Sequence, residues 1–236
     1  MKTKFILILA VVVLTLASCI KSDDTFDVQS DIYFVTKYVD NVPVTGTAYI
    51  FLGNHPIDST VVTLPGNSGT VNLKSSTSDY TLIKEPTDSQ YYATPPVSGN
   101  YSFEVTSDLG QVYIGFENQE YIDLAGADIS SFDFNSSYNA LHLEWNKITQ
   151  CNEYGIKIFD SSDNLIFNSN FLSSDVTTLD VSTYNESGVW NEIPVNGETY
   201  KIKIYTYLYD SGAATLNNAL DLQQVTYREY QVTWAL

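Results

Sequence analysis

Histidine is nearly missing from this chain, with His55 and His142 the only two in 236 residues. A Ser-His-Asp or Cys-His catalytic set needs an imidazole held against its nucleophile, and no Gly-x-Ser-x-Gly elbow is present either. His142 alternates outward from the face formed by Leu141, Leu143 and Trp145, and both histidines read as solvated surface groups. Cysteine is equally rare, limited to Cys19 and Cys151. Nothing in the sequence has the Cys/His spacing of a zinc site, and no Gly-rich loop leads into a helix to cradle phosphate. Cys151 lies in the turn Thr149-Gln150-Cys151-Asn152 and reads as a small, partly buried turn residue. Positive charge is scarce too. Eleven Lys and Arg stand against 28 Asp and Glu, a formal charge of −17, which repels nucleic acid and anionic headgroups and leaves cationic or neutral partners.

Carboxylates are therefore the one catalytic resource in good supply. Glycoside hydrolysis needs two of them facing each other across a cleft, but the acids here are scattered mostly through turns. Asp160-Ser161-Ser162-Asp163-Asn164 offers oxygen ligands for Ca²⁺, yet it lacks the spaced acids, central Gly and terminal Glu of an EF-hand loop and reads as a hairpin turn. The expectation is a chain without enzyme activity, cofactor or metal site.

What the chain does have begins at its N-terminus. Lys2 and Lys4 precede an apolar run over residues 5–16 that is too short to cross a bilayer, and Leu16-Ala17-Ser18-Cys19 closes it with small residues before a cysteine. This resembles the type II signal of bacterial lipoproteins. The resemblance implies that residues 1–18 are a removed signal peptide, that Cys19 is the lipidation site, and that acyl chains such as palmitate anchor the protein. Ile20-Lys21-Ser22-Asp23-Asp24 resembles the export tag of Bacteroidota surface lipoproteins, implying the outer face of the outer membrane, with the periplasmic face as the alternative. Residues 19–30 read as a flexible tether. Loss of Lys2 and Lys4 makes the mature chain more acidic by two charges. It also leaves Cys151 as the only unmodified thiol, so the fold must stand without an intramolecular disulfide.

Strand signals dominate the remainder. Short β-rich runs at 31–39, 46–52, 60–64, 69–74, 80–84, 100–106 and 111–116 are separated by Asn, Pro and Gly turns. Tyr101, Phe103 and Val105 share one face, as do Val112, Ile114 and Phe116. Seven strands at this spacing predict a β-sandwich over residues 31–120, followed by a short acidic connection at 121–128.

In the second half Leu141, Leu143 and Trp145 share a face, Tyr154-Gly155-Ile156-Lys157-Ile158 repeats the alternation, and Val195-Asn196-Gly197-Glu198-Thr199-Tyr200 leads into alternating aliphatics. These residues resemble a fibronectin type III domain over 128–236, in which Trp145 is the core tryptophan and Tyr200 the tyrosine of the corner motif. The resemblance departs in the long segment 173–192, which carries Trp190. The expected fold class is all-β, two tandem immunoglobulin-like or fibronectin type III-like β-sandwiches.

Eighteen tyrosines and three tryptophans exceed what two small cores need. On the strand through Tyr200, alternation puts Lys201, Lys203, Tyr205, Tyr207 and Tyr209 on the face opposite the aliphatics. An outward strip of Tyr205, Tyr207 and Tyr209 would bind a sugar face or a protein, and Trp190, as an exposed anchor in its irregular loop segment, is the other ligand-binding candidate, with folding back over the core as its alternative. The alternative for the strip is cross-strand packing with Tyr227 and Tyr230. Two functions remain open: a binding or adhesion module for a glycan or an envelope partner, or a structural spacer in an envelope complex that binds no small ligand.

Overall fold

The computed structural model describes residues 25–135, 139–184, 186–213 and 220–235. The expected signal peptide, Cys19 and the start of the expected tether lie outside the described residues. The regular structure of the described residues is almost all strand: β1 (Val28–Val39), β2 (Val42–Thr63), β3 (Thr70–Lys84), β4 (Gly99–Ser107) and β5 (Val112–Gln119) build the first half. The second half holds β6 (Ile129–Asn135), β7 (Ala140–Trp145), β8 (Glu153–Phe159), β9 (Leu165–Ser169), β10 (Leu172–Ser173), β11 (Thr178–Ser182), β12 (Gly188–Trp190), β13 (Thr199–Tyr209) and β14 (Leu222–Thr233).

The seven expected runs of the first half merge into five strands: 46–52 and 60–64 join in β2, where Asn54 makes a bend and not a turn, and 69–74 and 80–84 join in β3. The β2 register slips between Leu52 and Ser59. There Asn54 accepts from the Asp27 amide (2.9 Å) and donates to the Thr25 carbonyl (2.9 Å). Before the bend β2 pairs with β1, after it with β4, and β3 runs along its other edge. The bend carries β4 over the inner face of β1, where Phe34 meets Tyr101 edge-on at 6.4 Å. Ile32, Phe34, Phe51, Ile57, Val62, Leu73, Leu82, Phe103 and Val105 fill the first core.

In the second half β6, β7 and β11 form a three-stranded sheet. It packs against β8, β9, β13 and β14 around Leu141, Leu143, Trp145, Ile156, Ile158, Ile202 and Ile204. Trp145 is buried against Tyr154, with centroids 5.6 Å apart. Tyr200 accepts a 2.8 Å hydrogen bond from the Val195 amide five residues upstream, the geometry of a tyrosine corner.

The halves are not joined merely by a connector. β1 pairs in parallel with β14, Phe34 opposite Gln224 through Lys37 opposite Tyr227, so one sheet runs through both halves. On one face of this seam the buried side chains are polar. Thr45 bonds Thr36 (2.9 Å) and Thr36 accepts from Gln224 (3.2 Å). The connector lies on this row and completes it: the Ile122 amide donates to Gln224 Oε1, the Leu124 carbonyl accepts from Thr226 and the Ala127 amide donates to Thr206. Arg228, the chain's only arginine, donates to the Gly126 carbonyl (3.3 Å) and lies 3.7 Å over the Tyr38 ring. A Cβ at Gly126 would stand 2.9 Å from that ring, so the close approach requires glycine.

A shared sheet should make the halves unfold together. Trp145→Ala removes a buried ring and should cost about 3–5 kcal/mol, while Tyr200→Phe should cost roughly 1 kcal/mol. All three tryptophans lie in the second half. In urea, tryptophan fluorescence and far-UV circular dichroism should therefore trace a single coincident transition that Trp145→Ala shifts as a whole. Two separated transitions would mean that the seam does not couple the halves.

Candidate functional site

The tyrosine strip is not a free surface. Tyr207 and Tyr209 are buried and Tyr205 is half-buried. With Tyr33, Val35, Ala48, Ile50, Leu222 and Val225 they form a third apolar cluster on the face of the seam opposite the connector. Tyr205 packs on Tyr227 across the strand pair at 5.2 Å, Phe171 caps Tyr207 edge-on, and the Tyr209 hydroxyl donates to Glu153 Oε2 at 3.0 Å. Alternation placed these rings correctly on the face away from the second core, but the parallel seam supplies that face with its own cover. Tyr230 points the other way and hydrogen-bonds Asp128 and the Ile129 amide.

Trp190 is in a strand and folds back onto the second core. Its ring stands 4.6 Å from Phe167 and 5.9 Å from Trp234, and its Nε1 donates to the Ser182 carbonyl. This corrects the exposed-loop expectation. Cys151 is buried and donates to the Ile148 carbonyl, and burial pushes its thiol above the usual range. His142 sits between Asp180 (2.6 Å) and Glu144 (3.3 Å), which raise its pKa. The Asp160 carboxylate accepts from the Ser162 and Asn164 amides and the Asn164 side chain, so its lone pairs serve the turn.

The larger groove of the seam face is lined by Lys37, Phe159, Lys201, Lys203 and Tyr227. Its lysines are already engaged, Lys37 with Asp88 and Lys201 with Asp163, each at 2.5 Å, and Lys203 over the Phe159 and Tyr227 rings at 4.9 Å.

A different site emerges in the first half, in a segment the sequence presents only as turn punctuation. After β3 the chain makes a short 3₁₀ turn at Asp88–Gln90, capped by Thr87 and Gln90. It then bridges to Thr45 through Tyr92, with hydrogen bonds of 2.8 and 3.1 Å. Pro95 and Pro96 keep this strap extended, and the Tyr101 hydroxyl ties it down by donating to the Val97 carbonyl at 2.8 Å. Between the strap and the β2–β3 turn at Pro65 opens a cleft of about 290 Å³, near the lower end of the range for small-ligand sites. Tyr92 and Pro95, Pro96 and Val97 form one wall and Leu64, Pro65 and Val71 the other, over Thr47, Tyr49 and Tyr101.

Three properties distinguish the cleft. Tyr92 is 60% exposed, a large aromatic face open to solvent. The Thr47 hydroxyl sits beside the phenols of Tyr49 and Tyr101, and burial pushes the Tyr49 phenol up to about 12, so it keeps its proton at ordinary pH. No acid or base lines the cleft, in a chain with 28 acidic residues.

No family model and no curated protein sequence matches the chain. Among solved structures it is similar to a two-domain fibronectin type III segment of chicken tenascin, at 8% identity over 79% of this chain and 92% of that one, with a TM-score of 0.28. It is also similar to a tetra-tandem repeat from the extending region of a large adhesion protein (13% identity, 87% of this chain and 49% of that one, TM-score 0.26). A DUF3823 family protein from Bacteroides uniformis aligns at 11% identity over 87% of this chain and 99% of that one, TM-score 0.26.

Because Tyr207 is interior, Tyr207→Ala should destabilise the fold by about 3 kcal/mol, read as a lowered urea midpoint. An unchanged midpoint would show that the seam face is open.

Proposed function

We propose that the chain is a non-catalytic binding module, held by lipid at Cys19 on the outer face of the outer membrane, that takes an uncharged glycan in the Tyr/Pro cleft. The observation that carries this reading is the chemistry of the cleft. An exposed aromatic face offers area to the C–H face of a sugar ring at low entropic cost, and neutral hydroxyls below it can exchange hydrogen bonds with sugar hydroxyls. An envelope protein is the other partner of the binding reading, reached through the same rim. The spacer reading draws its support from the continuous sheet, which would hold two halves at a fixed angle. It differs in requiring no ligand at the cleft.

A glycan array probed with the full chain should give signals on neutral glycans that Tyr92→Ala weakens by about 1–2 kcal/mol, roughly tenfold, with the urea midpoint unchanged. Retained binding in Tyr92→Ala would move the site elsewhere. The absence of any glycan or envelope ligand would favour the spacer. Anchoring has its own test: metabolic palmitate labelling should disappear in Cys19→Ala, and labelling that persists there would remove Cys19 as the lipid site.

A further inference from the structure

The first half and the seam meet at two carboxyl groups. Asp31, in β1, is fully buried, and its Oδ2 accepts from the Leu222 amide at the start of β14 (3.1 Å). Glu117, in β5, uses Oε1 to accept from the Ile32 amide (3.1 Å) and from Gln119 Nε2 (3.1 Å). Gln119 in turn accepts from Gln223 of β14 (3.0 Å). These bonds draw β5, β1 and β14 together at one point. The remaining oxygens, Asp31 Oδ1 and Glu117 Oε2, are buried and have no hydrogen-bond partner, and the two carboxyls stand close enough to act on each other. Two carboxylates have no donor between them; one added proton supplies it.

We propose that Asp31 and Glu117 form a one-proton latch that closes β5 onto the β1/β14 seam and loosens when the proton is lost. The surroundings favour retention of that proton. Burial is the main force pushing both carboxyls above their ordinary range, and the other charges acting on them are acidic: Asp210 faces both, with Asp221 acting on Asp210. The Tyr33 phenol nearby is itself raised by burial and by Asp31, so it stays neutral. Loss of the latch proton would leave two buried like charges beside a third, with no hydrogen bond between them.

The linkage has a definite sign. The folded protein holds a proton that the unfolded chain releases above the usual carboxylate range. Stability is therefore fully present in acid and lost as pH rises through neutrality, by up to about tenfold in the folding constant per pH unit. The test uses the full chain. Infrared spectra at neutral pH should contain a protonated-carboxyl C=O band that Glu117→Gln removes. The urea midpoint of the wild type should fall between about pH 5 and about pH 9, and Glu117→Gln, whose amide donates to Asp31 permanently, should flatten that fall. Equal pH slopes in the two proteins would overturn the latch. So would a wild-type spectrum with no protonated carboxyl at neutral pH, a measurement that stands even where the variant does not fold.

Discussion

The parallel pairing of β1 with β14 is the constraint to which the rest of the structure conforms. A strand edge left open presents a row of unpaired amides and carbonyls, and each half alone would have such an edge, β1 in the first and β14 in the second. Joining them satisfies both rows. It also creates a central parallel pair whose two faces must be covered. The connector covers one, and its backbone groups dictate what lies beneath: Thr36, Thr206, Gln224 and Thr226 are buried polar residues because Ile122, Leu124 and Ala127 need partners there. A wholly apolar row at those positions would strand the connector's amides at a cost of about 1–3 kcal/mol each.

The other face explains the tyrosine surplus. Between the two main cores the shared sheet needs a third apolar layer, built by Tyr33 of β1, Val225 of β14 and Tyr207 and Tyr209 of β13. Tyrosine suits this position because the layer is thin and its edges reach water. The rings supply buried area, while a hydroxyl such as that of Tyr209 can bond Glu153 where phenylalanine would leave the carboxylate less satisfied.

How much of this the sequence discloses depends on the range of the interaction. The second half is legible because its signals are local: Trp145 on an alternating strand, and Tyr200 five residues after the amide it binds. Alternation likewise identifies the residues that share a face, but not which way the face points. Val112, Ile114 and Phe116 share one, as expected, yet they are 52%, 74% and 76% exposed. The inward positions between them are Tyr113, which stacks on Phe103, and Gly115, where a Cβ would stand 2.5 Å from the Phe103 ring. The seam and the Asp31–Glu117 contact join residues about 85 to 190 positions apart, and no local pattern encodes such pairings. The cleft escaped for the same reason: its walls come from four stretches between Gly46 and Tyr101, one of which, around Pro95 and Pro96, reads locally as nothing more than a loop.

The distribution of charge connects the fold to its proposed work. Cations are few, and the structure commits several of them to internal tasks: Arg228 fastens the connector, Lys37 holds the strap through Asp88, and Lys201 and Lys203 neutralise Asp163 and Glu229 across the sheet. The acidic excess then faces solvent, where it discourages association with anionic surfaces. Against that background an anionic ligand would meet repulsion on approach, and a cationic one would find attraction over much of the surface without specificity for any part of it. A neutral ligand is insensitive to the field and is selected only by shape and hydroxyl pattern. The uncharged walls of the cleft offer those two features, which is why the site stands out more by the charge it excludes than by the residues it contains.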